Sequence, residues 1–318
     1  MYKYIEKGDK LIIISGATAT GKTGTAIDLA KKIDGEIISC DSMQVYKYMD
    51  IGTAKPTIDE MSGIPHHLID VLEPDEDFSI AIFKDLVFNA IEDIKSRGKT
   101  PILCGGTGFY TNAIMYNTDF TLMEKDDKLR EHLYNLAKEK GNDHLYKILE
   151  KKDIESAKVL HQNNVKKVVR AIEFFETTGT KISIHNKIER KRELYFDVYQ
   201  FVLDFDREKL YHRIDMRVDI MMKDGLIQEV KSLVDKGYHK NLVSMQGIGY
   251  NEFFDYFEGK ATLEETVDLI KKNSRNYAKR QLTWFRNKSL ESSVWLNNDV
   301  YNKETLINKI LGELDRRD

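Results

Sequence analysis

Apolar positions along this chain follow two rhythms. LIIIS, within Lys10–Ser15, is a short β-branched run that stops at a glycine, the pattern of a strand buried on both faces of a parallel sheet. Similar runs cover Glu36–Ser39, which leads to Asp41, and Pro101–Cys104, which leads into GGTG; a fourth spans Phe196–Leu203. Between them the spacing is helical. Ala26, Ile27 and Ala30 share one face of Thr23–Lys32. Ser79 stands where it would cap a helix with Phe83, Val87, Ala90, Ile91 and Ile94 on one side and Gly98 past its end. Strands alternating with helices predict an α/β fold whose parallel sheet is joined by right-handed crossovers. From about Asn117 to Arg192 strand character gives out and charged, helix-spaced sequence takes over. This predicts a helical insertion domain, residues 118–192, within a core made of 1–117 and 193–318, the last part again helical. No repeat or low-complexity tract interrupts the pattern.

Charge follows the same division. The whole chain carries −3, but Thr121–Arg192 holds seventeen Lys and Arg against twelve Asp and Glu, a net of +5 that leaves −8 on the remainder. Nine of those basic residues lie in Lys158–Arg192 against three acidic ones. A second block, Lys271–Lys288, has seven basic residues and no acid, interleaved with Tyr277, Trp284 and Phe285. A charge run is ordinarily a solvated face; two of them with aromatics, on an otherwise acidic chain, leave a solvated face and a nucleic-acid surface as equal alternatives. With 41% hydrophobic residues there is enough apolar sequence for a sizeable core. The opening MYKYIEKGDK lacks a signal-peptide core, no apolar run nears the ~18 residues of a membrane span, and the two cysteines have no CxxC spacing. A cytoplasmic setting, with no membrane partner, is the expectation.

Candidate chemistry begins at GATATGKT, Gly16–Thr23, which matches G-x-x-x-x-G-K-[ST] between a strand and a helix. The glycines let backbone amides approach phosphate oxygens, the helix N-terminus adds positive potential, Lys22 is a point charge and the Thr23 hydroxyl is a magnesium ligand. The core is therefore expected to be P-loop NTPase-like. The motif specifies a di- or triphosphate, and ATP is its usual ligand, but it does not name the reaction. Asp41, in DSMQVY at the carboxyl end of the second strand, lies where open α/β sheets place their sites. It is a candidate magnesium carboxylate, general base or helix cap.

Longer strings narrow the choice. DSMQVYKYMDIGTAKP (Asp41–Pro56), HHLID (His66–Asp70), GGTGFY (Gly105–Tyr110), NNVKKVVRAIE (Asn163–Glu173), Asp206–Met222 with Gly225-Leu226, QGIGYNE (Gln246–Glu252) and YAKRQLTWFR (Tyr277–Arg286) resemble the bacterial tRNA dimethylallyltransferases from about residue 10 to 288. The resemblance implies transfer of a dimethylallyl group from its diphosphate to N6 of adenosine 37 of tRNA, beside the anticodon. It implies that Gly16, Ala17, Thr18, Ala19, Thr20, Gly21, Lys22 and Thr23 hold dimethylallyl diphosphate, with Mg2+ near Thr23. It implies catalytic roles for Asp41 as base, Thr107 in positioning the amine, and Lys22 and Arg217 on the diphosphate. The implied tRNA contacts are Asp41, Ser42, Met43, Gln44 and Thr107; Lys166, Lys167, Val168, Val169 and Arg170; Gln246, Gly247, Ile248, Gly249 and Tyr250; and Arg275, Lys279, Arg280 and Arg286. The partner would be a tRNA anticodon stem-loop, met by a monomer.

Several positions depart from the family's commoner residues: Ala17 and Thr20 for Pro and Ser, Asn164 and Lys167 for Asp and Arg. Lysine cannot reproduce a bidentate arginine contact. Three tempting features are expected to be structural: the adjacent His66 and His67, the cysteines Cys40 and Cys104, and the aromatics Phe253, Phe254, Tyr256 and Phe257. The competing readings are a P-loop kinase or NTPase with Asp41 on magnesium, prenylation of free adenine nucleotides, and a non-catalytic RNA-binding protein, which would leave Lys22, Thr23 and Asp41 without work.

Overall fold

The computed structural model describes residues 2–120, 126–189 and 193–316. Six parallel strands form one sheet: β1 (Lys10–Gly16), β2 (Gly35–Ser39), β3 (His66–His67), β4 (Thr100–Gly105), β5 (Asp197–Asp204) and β6 (Val294–Asn297), in the order β3-β2-β4-β1-β5-β6. The four apolar runs are the four central strands. Leu11, Ile14, Ile38, Ile102 and Leu103 are fully buried, as expected where helices cover both faces. The two outer strands were not anticipated. β3 is a pair of histidines, and β6 is four residues with Trp295 exposed.

Helices α1 (Lys22–Ile33), α2 (Ile58–Met61), α3 (Ile80–Ser96) and α4 (Gly108–Met115) lie between the first strands. Ser79 caps α3 as predicted, its hydroxyl accepting from the Ile82 amide. The chain divides into two compact units, Met1–Met115 with Leu194–Asp318, and Tyr116–Glu193. In the smaller unit, α5 (Asp127–Lys140), α6 (Asn142–Lys152), α7 (Ile154–Val159), α8 (Val165–Thr178) and α9 (Ile182–Glu189) enclose their own core of Leu133, Leu145, Leu149, Val168, Val169 and Ile172. Two buried carboxylates organise it. Glu173 is held by Arg130 and Arg170, and Asp153 by the amides and hydroxyls of Ser156 and Ser183. The expected boundary residue 192 lies outside the described residues.

The larger unit continues with α10 (Arg207–Lys223), α11 (Leu226–Asp235), α12 (Phe253–Phe257), α13 (Leu263–Lys288) and α14 (Lys303–Asp315). Helices α1 and α14 bury Ala26, Leu29, Leu306 and Ile310 against one side of the sheet, with Ile12, Ile14, Phe201 and Leu203. On β2, Glu36 is buried and receives Arg97 and the His67 ring, whose Nε2 lies 2.7 Å away. The Arg97 hydrogen bonds, with His67 behind them, pull the Glu36 carboxyl down to about 2. His66 Nδ1 lies 2.8 Å from the Ile64 carbonyl, and Phe253 and Phe254 are core, so these residues hold structure as expected. The strand register sets Ser39 beside Cys104, and Ser15 beside Gly105 and Val202. The carboxyl ends of β1, β2 and β4 are therefore level, where this class of sheet carries its ligand.

Candidate functional site

Gly16–Thr23 bends because Gly16, Ala19 and Gly21 take φ of 148°, 63° and 89°. Such changes of hand turn successive amides into one concavity. The loop's carbonyls are occupied by side chains, some from the loop itself and some from outside it. Ala17 O accepts from Thr20 Oγ1 (2.8 Å) and Lys22 Nζ (2.6 Å), Ala19 O from Arg213 Nε (2.9 Å), and Thr20 O from Asn298 Nδ2 (2.7 Å). Neutralised carbonyls leave positive potential at the mouth of α1, which suits an anion. From α13, Gln281 accepts from the Thr18 amide (2.8 Å) and donates to Gly106 O (3.0 Å), locking the loop to the GGTG turn. Lys22 keeps some solvent contact but is packed closely enough that burial pulls its ammonium down to about 8. Arg217 Nη1 reaches Thr18 Oγ1 at 3.3 Å.

Asp41 follows β2 directly and caps a turn, not a helix: its Oδ1 accepts from the Met43 amide at 2.9 Å. The loop beyond it is pinned at several points. Gln44 bonds Ser39 Oγ and the carbonyls of Thr53 and Ala54. Lys55, 5% exposed, bonds Tyr46 O, Asp50 and Asp70 and so ties the DSMQ segment to HHLID. Glu229 of α11 accepts from the amides of Asp50, Ile51 and Gly52 and from the Tyr250 hydroxyl. On the facing side, the Thr107 hydroxyl is buried with no hydrogen-bond partner of good geometry. Tyr277 stands beside it, and burial together with the Asp41 charge pushes that phenol up to about 12, so it stays a donor. Burial likewise raises Cys40 to about 12 and Cys104 to about 11, which fits packing residues without nucleophilic character.

Two cavities of about 340 and 350 Å³ meet here, sharing Thr18, Asp41, Thr53, Arg217 and Tyr277. One lies at the glycine loop, walled by Gly21, Lys22, Thr23, Glu60 and Gly106. The other is largely apolar, walled by Met43, Ile214, Val218, Met221, Ile248 and Ile270, with Ser42, Gln246 and Arg280 at its edge. Thr23, Asp41 and Glu60 are hard-oxygen donors of the kind Mg2+ accepts beside phosphate and water. Among the described residues no group of three or more His, Cys, Asp or Glu could hold a metal. The donor set therefore fits a magnesium carried largely by a diphosphate.

Some residues read as contacts are committed elsewhere. Tyr250 is fully buried and bonded to Glu229, so its side chain braces the cavity wall. Val168 and Val169, 0% and 1% exposed, are core of the smaller unit; of the five residues expected as contacts on that helix, Lys166 and Lys167 are exposed and Arg170 is tied to Glu173. Ala17 and Thr20 are buried, and Thr20 spends its hydroxyl inside the loop. Arg275 pairs with Asp215, and Arg286 lies 3.6 Å from Asp204. Conversely, Tyr277, Gln281, Arg213, Asn298 and Glu229 hold the site together and were not read as part of it.

No helix among the described residues is long and apolar enough to cross a membrane. The family model described as IPP transferase matches residues 44–288. The chain is 48% identical over 303 residues to the tRNA dimethylallyltransferase of Acetivibrio thermocellus, covering 95% of this chain and 96% of that one. It is 50% identical over 297 residues to the enzyme of the same name from Lachnoclostridium phytofermentans, covering 93% and 94%. Among solved structures it resembles a tRNA delta(2)-isopentenylpyrophosphate transferase from Staphylococcus epidermidis, with TM-score 0.72, 42% identity and coverage of 98% and 100%. It also resembles a eukaryotic dimethylallyltransferase acting on tRNA, with TM-score 0.80, 33% identity and coverage of 92% of this chain and 75% of that one.

Proposed function

The chain belongs to the IPP transferase family, and from that premise we propose that it transfers the dimethylallyl group of dimethylallyl diphosphate to N6 of adenosine 37 of a tRNA, releasing diphosphate. One observation carries the chemistry: the Asp41 carboxylate lies in the wall shared by a cationic phosphate cavity and an apolar one. A prenyl donor has those two ends, and the bond that breaks joins them.

The loop amides, Lys22 and Arg217 bind the diphosphate. As the allylic carbon–oxygen bond breaks, negative charge grows on the leaving oxygen, and these fixed donors stabilise it more in the transition state than before it. Mg2+, held beside Thr23, would neutralise part of the same charge. The adenine amine is a poor nucleophile because its lone pair is delocalised into the ring. Asp41 accepts the N6 proton as the new carbon–nitrogen bond forms. The buried Thr107 hydroxyl, with Tyr277 beside it, orients the amine. For the base to enter, it must leave the anticodon-loop stack, at a cost of a few kcal/mol that is least in a single strand. Lys166 and Lys167 supply solvent-facing charge for tRNA phosphates.

The test is mass spectrometry of tRNA incubated with the protein, Mg2+ and dimethylallyl diphosphate, beside a parallel incubation with ATP. A gain of one C5H8 unit on the adenosine next to the anticodon is expected. Phosphate release from ATP with unmodified tRNA would instead establish the NTPase reading.

A further inference from the structure

Helix α13 carries a second concavity that the transfer chemistry does not use. It measures about 460 Å³ and is lined by Asn276, Lys279, Arg280, Thr283, Trp284 and their neighbours toward the end of the helix, spaced three or four apart along one face. The basic block of this helix separates into two sets. Lys271, Arg275 and Arg286 face Asp219, Asp215 and Asp204. Among the described residues no carboxylate pairs with Lys279, Arg280 or Lys288. Lys272 is exposed and, among the described residues, unpaired as well, so three of the block's four uncompensated cations lie along this groove.

An aromatic pair stands beside it. Trp284 meets Phe109 edge to face, with ring centroids 6.4 Å apart and planes at 88°. Phe109 is 50% exposed, although it stands in the first turn of α4, two residues after Thr107, whose hydroxyl is buried. The indole is pressed onto that turn: a Cβ on Gly108 would meet Trp284 Cδ1 at 2.1 Å. The pair is therefore fixed to the backbone that follows Thr107. Arg280 lines both this groove and the cavity that contains Asp41, and its guanidinium lies 5.8 Å from the Tyr277 ring centroid. Arg280 thus joins the cavity of Asp41 to the groove that Trp284 lines, and Phe109 lies against Trp284.

We propose that Phe109 and Trp284 form a stacking platform for an unpaired nucleotide of the RNA substrate adjacent in the chain to the target adenosine, with Lys279, Arg280 and Lys288 holding its phosphates. The inference rests on the proposed prenyl transfer to RNA and adds a second base-binding position to it. An exposed ring rimmed by cations and free of acids is the chemistry of single-strand binding, in which stacking tolerates any base and the backbone is held by charge. A protein partner would require no unpaired nucleotide.

The test uses the full chain and an anticodon stem-loop RNA, intact or with an abasic residue on either side of the target adenosine, with binding read by fluorescence anisotropy. Phe109→Ala should weaken the intact RNA by about tenfold, and Phe109→Trp should restore it. One abasic substitution should weaken wild type by a similar factor and Phe109→Ala by no more, because the two changes remove one contact. Circular dichroism and dimethylallyl diphosphate affinity, measured on the same variants, establish that the chain is folded. Unchanged RNA affinity in folded Phe109→Ala, or losses that multiply with every abasic position, would overturn the platform. If wild type prenylates the RNA while Phe109→Ala binds it normally, only the platform fails. If wild type prenylates no RNA, the proposed function itself fails.

Discussion

At Asp41 one carboxylate holds a turn and, in the proposed transfer, acts as the base, and a single substitution separates the two. Its Oδ1 holds the Met43 amide, and the group faces both cavities. Asp41→Asn keeps an acceptor for that amide but removes the base, so the turn survives while proton transfer does not. The single-turnover rate should fall by about 10²- to 10⁴-fold with tRNA affinity unchanged; equal losses in rate and affinity would assign Asp41 to binding. Lys22 offers a pH test. Burial leaves its ammonium titrating near 8 in the chain without substrate, where its contact is the Ala17 carbonyl. Below that pH the charge is present for a diphosphate; above it, binding must first supply a proton. Dimethylallyl diphosphate affinity should therefore fall as pH rises through 8, and isothermal titration from pH 6.5 to 9.5 reads it. Lys22→Arg should abolish the fall, since a guanidinium stays protonated throughout. A flat profile in wild type would remove Lys22 from the diphosphate.

Among the elements, α13 does most to fix the site, through a residue that no local pattern announces. Gln281 bonds the Thr18 amide and the Gly106 carbonyl across 263 and 175 residues of sequence. Gln281→Leu leaves both groups unpaired in a buried setting, a loss of about 2–4 kcal/mol, visible as a lowered Tm and a raised KM for dimethylallyl diphosphate. An unchanged Tm would mean the loop holds its shape without the clamp. This separates what was legible in the sequence from what was not. Local chemistry could be read: the four apolar strands, the glycine loop, the Ser79 cap, the helical insertion. The outer strands could not, because β3 is polar and β6 too short and exposed for an apolar run to mark them. Gln281, Arg213, Asn298 and Glu229 escaped because each serves backbone groups far away in the chain. Val168, Val169 and Tyr250 differ in the other direction, with side chains buried and not presented to solvent. They were carried along with motif neighbours, although the helical period beginning at Lys166 already turns 168, 169 and 172 inward together.

For the molecule as a whole the governing fact is uneven charge, −3 overall but +5 within Thr121–Arg192. Net charge would not attract RNA, so attraction must come from particular cations, and many are already spent. In the smaller unit Arg130 and Arg170 neutralise the buried Glu173, and Lys152 meets Glu176. Among the cations left unpaired are Lys166 and Lys167, exposed in the first turn of α8 with no acidic residue in that turn. If they meet tRNA phosphates, each contact releases counterions, and the logarithm of affinity falls with the logarithm of salt by roughly 0.7–0.9 per contact. Lys166→Ala with Lys167→Ala should weaken tRNA binding and flatten that slope by about 1.5, as read by filter binding from 50 to 300 mM salt. Dimethylallyl diphosphate affinity, measured in parallel, should not change, because its cavity lies wholly in the other unit. The slope decides the matter better than affinity alone. A variant that merely loosened α8 would also bind more weakly, but it would leave the slope where it was, and that outcome would take the smaller unit out of the RNA interface.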